Sequence, residues 1–304
     1  QFVVEQLKSI PDTKIFISPG NHDPIRKDSV YQQERWPDNV YIFQNSWETL
    51  YFPEYRLHLS GRGFADFSDR DGTLPKPIEN AMYHIYVMHG DFQEADSIYF
   101  PIMEHDLFKH HVDYVALGHI HKRQTFHLKN EKKTIIHYPG SPEARSWKEI
   151  GERFLTFGKL DERGVYLEDV PIHTKKYEHV LIDVTDCTSL SQVIEQIRTM
   201  LDQYLEESYF VLQLTGRSSI PTEDNNWLKK IHAKLSSHYK WIYLEDKTLP
   251  NYNLKQLREQ KSLIGTFITI MENRIAQETD AKKKRVLETA LYRGLNAMEK
   301  EEAM

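Results

Sequence analysis

Tyr114-Val115-Ala116-Leu117-Gly118-His119-Ile120-His121 decides how the first half of this chain folds. A short apolar run makes a buried strand, Gly118 breaks it, and two histidines follow on the turn. The same order of events occurs twice upstream. Lys14-Ile15-Phe16-Ile17 is a strand, broken by Ser18-Pro19-Gly20 and followed by Asn21-His22-Asp23. His84-Ile85-Tyr86-Val87-Met88 is a strand that runs into His89-Gly90-Asp91. A strand end suits a functional side chain, because the sheet fixes its Cα and the turn aims it. His89, His119 and His121 all sit at such ends.

Further elements follow outward from these strands. Tyr41-Ile42-Phe43 and Tyr55-Arg56-Leu57-His58-Leu59 are strands, residues 64–80 form a loop with one helical turn, and residues 101–111 form a helix. Residues 124–128 and 134–138 make a hairpin, as do 154–160 and 165–170 around Asp161-Glu162-Arg163-Gly164. Beyond residue 172 the pattern changes to strand 180–184, helix 189–206, strand 209–214, helix 223–236 and strand 241–244. The first of these helices carries Leu190, Val193, Ile194, Ile197 and Leu201 on one face. This is a small βαβαβ unit. Pro250 ends it, and residues 254–303 make two helices separated by the charged stretch 278–285. Their apolar stripes (Leu257, Ile264, Phe267, Ile268, Met271, Ile275, and Leu287, Leu291, Leu295, Met298) suit a self-packed hairpin or a partner-binding pair. The expected parts are therefore 1–172, 173–249 and 250–304.

Composition narrows the function. A chain of 304 residues with 39% hydrophobic and 12% aromatic residues supports a substantial core. Acidic residues outnumber basic ones by 45 to 39, so the net charge is -6. A protein that grips nucleic acid by charge alone is usually basic. Any nucleic-acid contact is therefore local, metal-assisted or shared with a partner. The single cysteine, Cys187, excludes internal disulfides and cysteine metal sites, and fits a structural thiol. No apolar run reaches membrane-spanning length and the start is unlike a signal peptide, so a cytoplasmic enzyme with no membrane attachment is expected. The chain has no initiator Met, which suggests a start inside a longer gene product.

The histidine motifs carry the chemistry. A neutral imidazole binds metal, and a loop must aim it. His89, His119 and His121 lie at strand ends, and Asn21 offers a carbonyl oxygen. Imidazole with oxygen suits a cation such as Mn²⁺ and disfavours a structural zinc site. Asp23 is expected to hold one ring nitrogen of His22. His22 would then face a scissile phosphate, to protonate the leaving oxygen or to stabilise charge on the phosphoryl oxygens. Other candidates have plainer readings. His105, His110 and His111 suit a solvated helix face, and His58, His84, His127 and His137 a sheet face. Arg62, Arg145 and the pair Lys122-Arg123 could touch phosphate or simply be solvated. Lys282-Lys283-Lys284-Arg285 suits a solvated turn.

These motifs resemble the later signatures of calcineurin-like metallophosphoesterases. Asp113-Tyr114-Val115-Ala116-Leu117-Gly118-His119-Ile120-His121, with Tyr138-Pro139-Gly140-Ser141-Pro142-Glu143, is most similar to the SbcD/YhaO-type DNA repair exonucleases. The likeness covers residues 12–145 well and the rest in layout. It implies an α/β (α+β) fold: a metallophosphoesterase two-sheet sandwich flanked by helices, plus a small βαβαβ capping domain and C-terminal helices. It implies a hydrolase that cleaves DNA phosphodiesters, as exonuclease or endonuclease, with two Mn²⁺ ions (Mg²⁺, Fe²⁺ or Zn²⁺ being alternatives). Asn21, His89 and His119 would bind one ion and His121 the other; His22 would be catalytic, supported by Asp23. The C-terminal helices would dock on an SMC-like ATPase, and dimerisation follows only by analogy.

One departure stands out. The family opens with an Asp-x-His and then a Gly-Asp motif, and the residues before Gly20 contain neither; Asp12 precedes its strand rather than following it. The resemblance therefore implies an N-terminally truncated chain that holds one ion well, is inactive alone and is of doubtful independent stability. Two alternatives stay open: a phosphatase or small phosphodiesterase on the same fold, and a non-catalytic scaffolding subunit. The βαβαβ unit and terminal helices argue against the first, since a small substrate does not need them.

Overall fold

The computed structural model describes residues 1–204, 208–218, 220 and 226–302. In the first half, α1 (Phe2–Lys8), β1 (Ile15–Ile17), α2 (Val30–Gln33), β2 (Val40–Ile42), β3 (Glu48–Phe52) and β4 (Leu57–Gly61) precede β5 (Tyr83–His89). Then come β6 (Asp91–Phe92), β7 (Pro101–Ile102), α3 (Glu104–Leu107), β8 (Tyr114–Gly118), β9 (Gln124–His127), β10 (Ile135–Tyr138), β11 (Phe154–Asp161) and β12 (Gly164–Pro171). The main sheet has six strands in the order β3-β4-β5-β8-β10-β9. Its four central strands are parallel, and both edge strands run antiparallel to their neighbours. A second, two-stranded sheet pairs β1 with β2 in parallel, and Phe16 of β1 packs on Phe43 and on Phe52 of β3. With its helices this is the mixed α/β layout expected from the sequence.

Parallel pairing has a direct consequence for function. The C-terminal ends of β4, β5, β8 and β10 fall on one sheet edge, with His89 in register with Gly118. On β5 the side chains alternate, so His84, Tyr86 and Met88 are buried. Tyr86 and Met88 join Val115, Leu117, Ile136 and Tyr138 in the main core, with Phe100, Ile102 and Leu107 packed against them.

The expected helix over 101–111 is largely absent. Pro101–Ile102 pairs with β6 instead, and only Glu104–Leu107 is helical. Ile102 and Leu107 are fully buried, so packing against the core outweighs the local helical pattern. His110 is likewise not solvated: it is buried, with Nδ1 2.8 Å from the Tyr86 hydroxyl.

The second half begins with β13 (Tyr177–Asp183), α4 (Leu190–Leu201), β14 (Tyr209–Thr215), β15 (Arg217–Ser218), α5 (Asn226–Leu235), β16 (Trp241–Asp246) and β17 (Leu249–Pro250). The strands β13-β14-β16 form one sheet, and Val193, Ile197, Leu201, Trp227 and Ile231 of the helices enter its core. Ser189 caps α4 by accepting the Gln192 N–H at 3.3 Å. Of the two helices expected here, residues 205–206 and 223–225 lie outside the described residues. Cys187 is buried in this core, and burial raises its thiol pKa, which fits the structural reading.

The C-terminal residues form three helices rather than two: α6 (Leu254–Glu259), α7 (Leu263–Gln277) and α8 (Ala281–Glu302). The break before α7 is made by Ser262, whose hydroxyl accepts the Gly265 N–H at 3.1 Å. Lys282-Lys283-Lys284-Arg285 is the first turn of α8, not a spacer. Asp280 accepts the N–H groups of Lys282 and Lys283, and so starts the helix inside the charged run. Ile264, Ile268 and Met271 pack against Leu291 and Leu295, so the two apolar stripes face each other. Compact packing divides the chain into Gln1–Tyr177 and Glu178–Met304. Among the described residues no helix is long and apolar enough to cross a membrane.

His84 makes this fold acid-sensitive. It is fully buried, with Nε2 2.8 Å from the Ser60 hydroxyl. Burial, reinforced by the nearby His58 and His110, lowers its pKa to about 4. The unfolded chain takes up that proton near pH 6.5, whereas the folded chain does not until about pH 4. His84 therefore contributes stability that is present above pH 6.5 and is lost as the pH falls toward 4. Denaturant unfolding should show about 2 kcal/mol less stability at pH 5 than at pH 7 from this group. In His84→Gln that part of the pH slope should vanish; an unchanged slope would contradict the assignment.

Candidate metal centre

Three strand ends deliver a triangle of donor atoms. His89 closes β5, and its Nε2 stands 2.8 Å from Asn21 Oδ1 and 3.2 Å from His119 Nδ1. Asn21 Oδ1 and His119 Nδ1 are 3.4 Å apart. The residues are 68 and 30 positions from His89 in sequence, so only the fold makes them neighbours.

The slot around His89 is shaped by glycines. A Cβ on Gly20 would stand 2.5 Å from the His89 ring, and one on Gly118 would stand 2.8 Å from its Nδ1. Any larger residue at either position would push the imidazole out. Phe64 meets the ring edge-on at 5.1 Å. Burial, then the neighbouring His119, lowers the His89 pKa to about 4, so the ring is neutral at ordinary pH. The pKa of His119 is also lowered, by burial first, with Asp91 opposing.

His119 is held with φ at +108°, an uncommon backbone state for a residue with a side chain. Its ring lies against Tyr99 at 4.7 Å, and its Nε2 is 3.4 Å from Asp91 Oδ1. Ser97 donates to the other Asp91 oxygen at 2.5 Å. A negative carboxylate this close favours the ring proton on Nε2, the tautomer whose Nδ1 lone pair faces the triangle. Asp91 is thus a candidate positioning residue for which sequence reasoning gives no role. The signal was present, because it is the third residue of His89-Gly90-Asp91. Its loop is pinned by the buried Tyr138, whose hydroxyl accepts the Phe92 N–H at 2.8 Å and donates to Gly90 O at 2.7 Å.

The remaining expected residues sit differently. Asp23 accepts the Gly20 N–H at 2.9 Å and the Tyr31 hydroxyl, so it braces the loop carrying Asn21 and His22. That geometry differs from the expectation that Asp23 would hold the His22 ring. A carboxylate two residues past Asn21 reaches the backbone of its own turn more easily than a neighbouring imidazole. His22 is exposed on the same turn. His121 does not join the triangle: its Nδ1 lies 2.7 Å from Glu149 Oε1. Its carbonyl accepts from Ser141 N and Arg153 Nη1, both at 3.0 Å. Burial pushes the Glu149 carboxyl up, but the Arg145 N–H, His121 and Ser141 outweigh it and lower its pKa. No sequence motif marks Glu149, which lies 28 positions beyond its partner. Arg62 is buried, paired with Asp69 and stacked over Phe100 at 4.4 Å, and Arg123 pairs with Asp169 at 2.9 Å.

The triangle fits a divalent cation. Ligands at right angles on an ion with bonds of roughly 2.1 Å stand about 3 Å apart, and the three separations bracket that value. Two neutral imidazoles and an amide oxygen suit a borderline cation. Among the described residues no three His, Cys, Asp or Glu side chains form a metal cluster, so the amide of Asn21 is what completes this set.

No family model matches the chain. The chain is 30% identical over 210 residues to the uncharacterized metallophosphoesterase YhaO of Bacillus subtilis (strain 168). That alignment covers 66% of this chain and 48% of the Bacillus protein, so the chain spans about half the length of the curated relative it matches. The chain is therefore similar in sequence to a metallophosphoesterase, and its mixed α/β fold is consistent with that likeness.

Proposed function

We propose that the full-length protein is a metal-dependent phosphodiesterase acting on DNA, an exonuclease or endonuclease subunit of an SbcCD-like repair complex. The observation that carries the proposal is the convergence of Asn21 Oδ1, His89 Nε2 and His119 Nδ1 within 3.4 Å of one another. These atoms would hold one cation, with Mn²⁺ preferred; His121 would serve a second ion once released from Glu149. A bound divalent cation would supply Lewis acidity toward phosphoryl oxygens and an activated water.

The chain's own side chains do the rest. Asp91 keeps the His119 proton on Nε2, away from the donor triangle. Asp23 and Tyr31 brace the turn that presents His22. From that exposed position His22 stabilises charge on the phosphoryl oxygens or gives a proton to the leaving oxygen. In this reading the small α/β unit acts as a cap that helps to position DNA, and the C-terminal helices offer a surface to an SMC-like ATPase. A homodimer and a cytoplasmic setting complete the proposal by analogy.

Calorimetric titration of this chain with Mn²⁺ should show one well-held ion. Asn21→Ala and His89→Ala should abolish that binding, and Asp91→Asn should weaken it by roughly 10–100-fold. Equal affinity in all four proteins would reject the site. In the full-length protein, His22→Ala should lower kcat on a linear duplex by roughly 10²–10⁴-fold. Turnover confined to phosphomonoesters would favour a phosphatase instead.

A further inference from the structure

Both ends of segment 64–69 are anchored beside residues of the metal centre. At its start Phe64 is buried edge-on to His89; its N–H bonds Pro19 O at 2.9 Å and its carbonyl accepts the Ile25 N–H at 2.8 Å. At its end the Asp69 N–H bonds Ile98 O at 2.8 Å, next to Tyr99, which lies against His119. Asp66 Oδ1 accepts the Phe67 N–H at 2.8 Å and turns the chain between these anchors. Phe67 stands in the middle of the segment, 57% exposed.

One face of the Phe67 ring is covered. The Arg26 guanidinium lies 5.2 Å from its centroid, and Arg26 is only four residues beyond His22. Arg26 is itself fixed by Asp66 at 3.5 Å and Asp28 at 3.6 Å. Two carboxylates therefore offset its charge, so this pair is poorly suited to capturing a phosphate. What it offers is a braced aromatic face on a segment whose two ends adjoin the metal centre. A flat ring of a substrate stacks on such a face with little loss of motion in the protein.

We propose that Phe67, backed by Arg26, is a stacking platform for one unpaired base of a DNA strand whose phosphate lies at the metal centre. The occupant is an unpaired base because both faces of a paired base are already covered within a duplex. The proposal rests on the phosphodiesterase reading and deepens it, since a platform for bases has no use in a general phosphatase. Phe67 is a specificity-determining residue here, not a catalytic one.

The test is fluorescence anisotropy with a labelled single-stranded oligothymidine, an abasic strand of equal length, and unlabelled thymidine monophosphate as competitor, at fixed salt with Mn²⁺. Phe67→Ala should weaken binding of the oligothymidine by roughly 5–100-fold. Phe67→Trp should restore it, and the abasic strand should bind all three proteins alike. The monophosphate should compete only weakly, because it lacks the flanking backbone. Unchanged affinity in Phe67→Ala, or no preference of the wild type for bases over abasic sites, would overturn the platform. Failure of the wild type to bind any strand would overturn it too. Mn²⁺ calorimetry on the same proteins separates the two levels. A wild type that takes no Mn²⁺ sinks the metal-centre reading, whereas normal Mn²⁺ binding without base preference sinks the platform alone. Because Phe67 is exposed, an unchanged melting temperature in Phe67→Ala is expected and would show that folding is intact.

Discussion

The His89 imidazole sits in a slot whose walls are two absent side chains. Gly20 and Gly118 come from different strand ends, and a methyl group on either would collide with the ring. The rest of the site depends on that fit. If the ring moved outward, Nε2 would leave both Asn21 and His119, and only those two donors, 3.4 Å apart, would remain. The slot in turn needs parallel strands, because only parallel pairing of β5 and β8 puts His89 beside Gly118.

The triangle also carries a tension that a cation resolves. Asn21 Oδ1 can only accept, and His119 Nδ1 is an acceptor in the tautomer that the nearby Asp91 carboxylate favours. One N–H on His89 Nε2 can satisfy only part of this cluster. Burial lowers both imidazole pKa values and so opposes a second proton. A divalent ion can accept from all three at once, so the same desolvation that disfavours protons leaves lone pairs ready for metal. The uncommon backbone of His119 fits that picture, since such conformations persist where the surroundings fix them.

Legibility in the sequence followed the range of the interactions. The strands that carry the motifs were readable because apolar runs and glycine breaks are local signals, and Asn21, His89 and His119 came with them. The helix expected over 101–111 failed because Ile102 and Leu107 are drawn into the core, a tertiary effect that local periodicity does not contain. The start of α8 inside a lysine run is hard to see in the sequence because Asp280 sits within a charged stretch that looks like a spacer, and only the folded backbone shows it as a cap. The Glu149–His121 hydrogen bond joins residues 28 positions apart, and no motif encodes it; the Asp91–His119 contact lies within reach of the His89-Gly90-Asp91 motif, but a motif does not say which side chain its carboxylate faces. The contacts of Asp23 are with the Gly20 N–H and the Tyr31 hydroxyl, and the Gly-Asn-His-Asp spacing does not say which neighbour a turn carboxylate takes.

Diffraction from a crystal soaked in Mn²⁺, with anomalous data collected at the manganese edge, tests the central claim most directly. The account predicts a peak in bonding contact with Asn21 Oδ1, His89 Nε2 and His119 Nδ1 together. A peak elsewhere, or none at this triangle with the ion in excess, would contradict it.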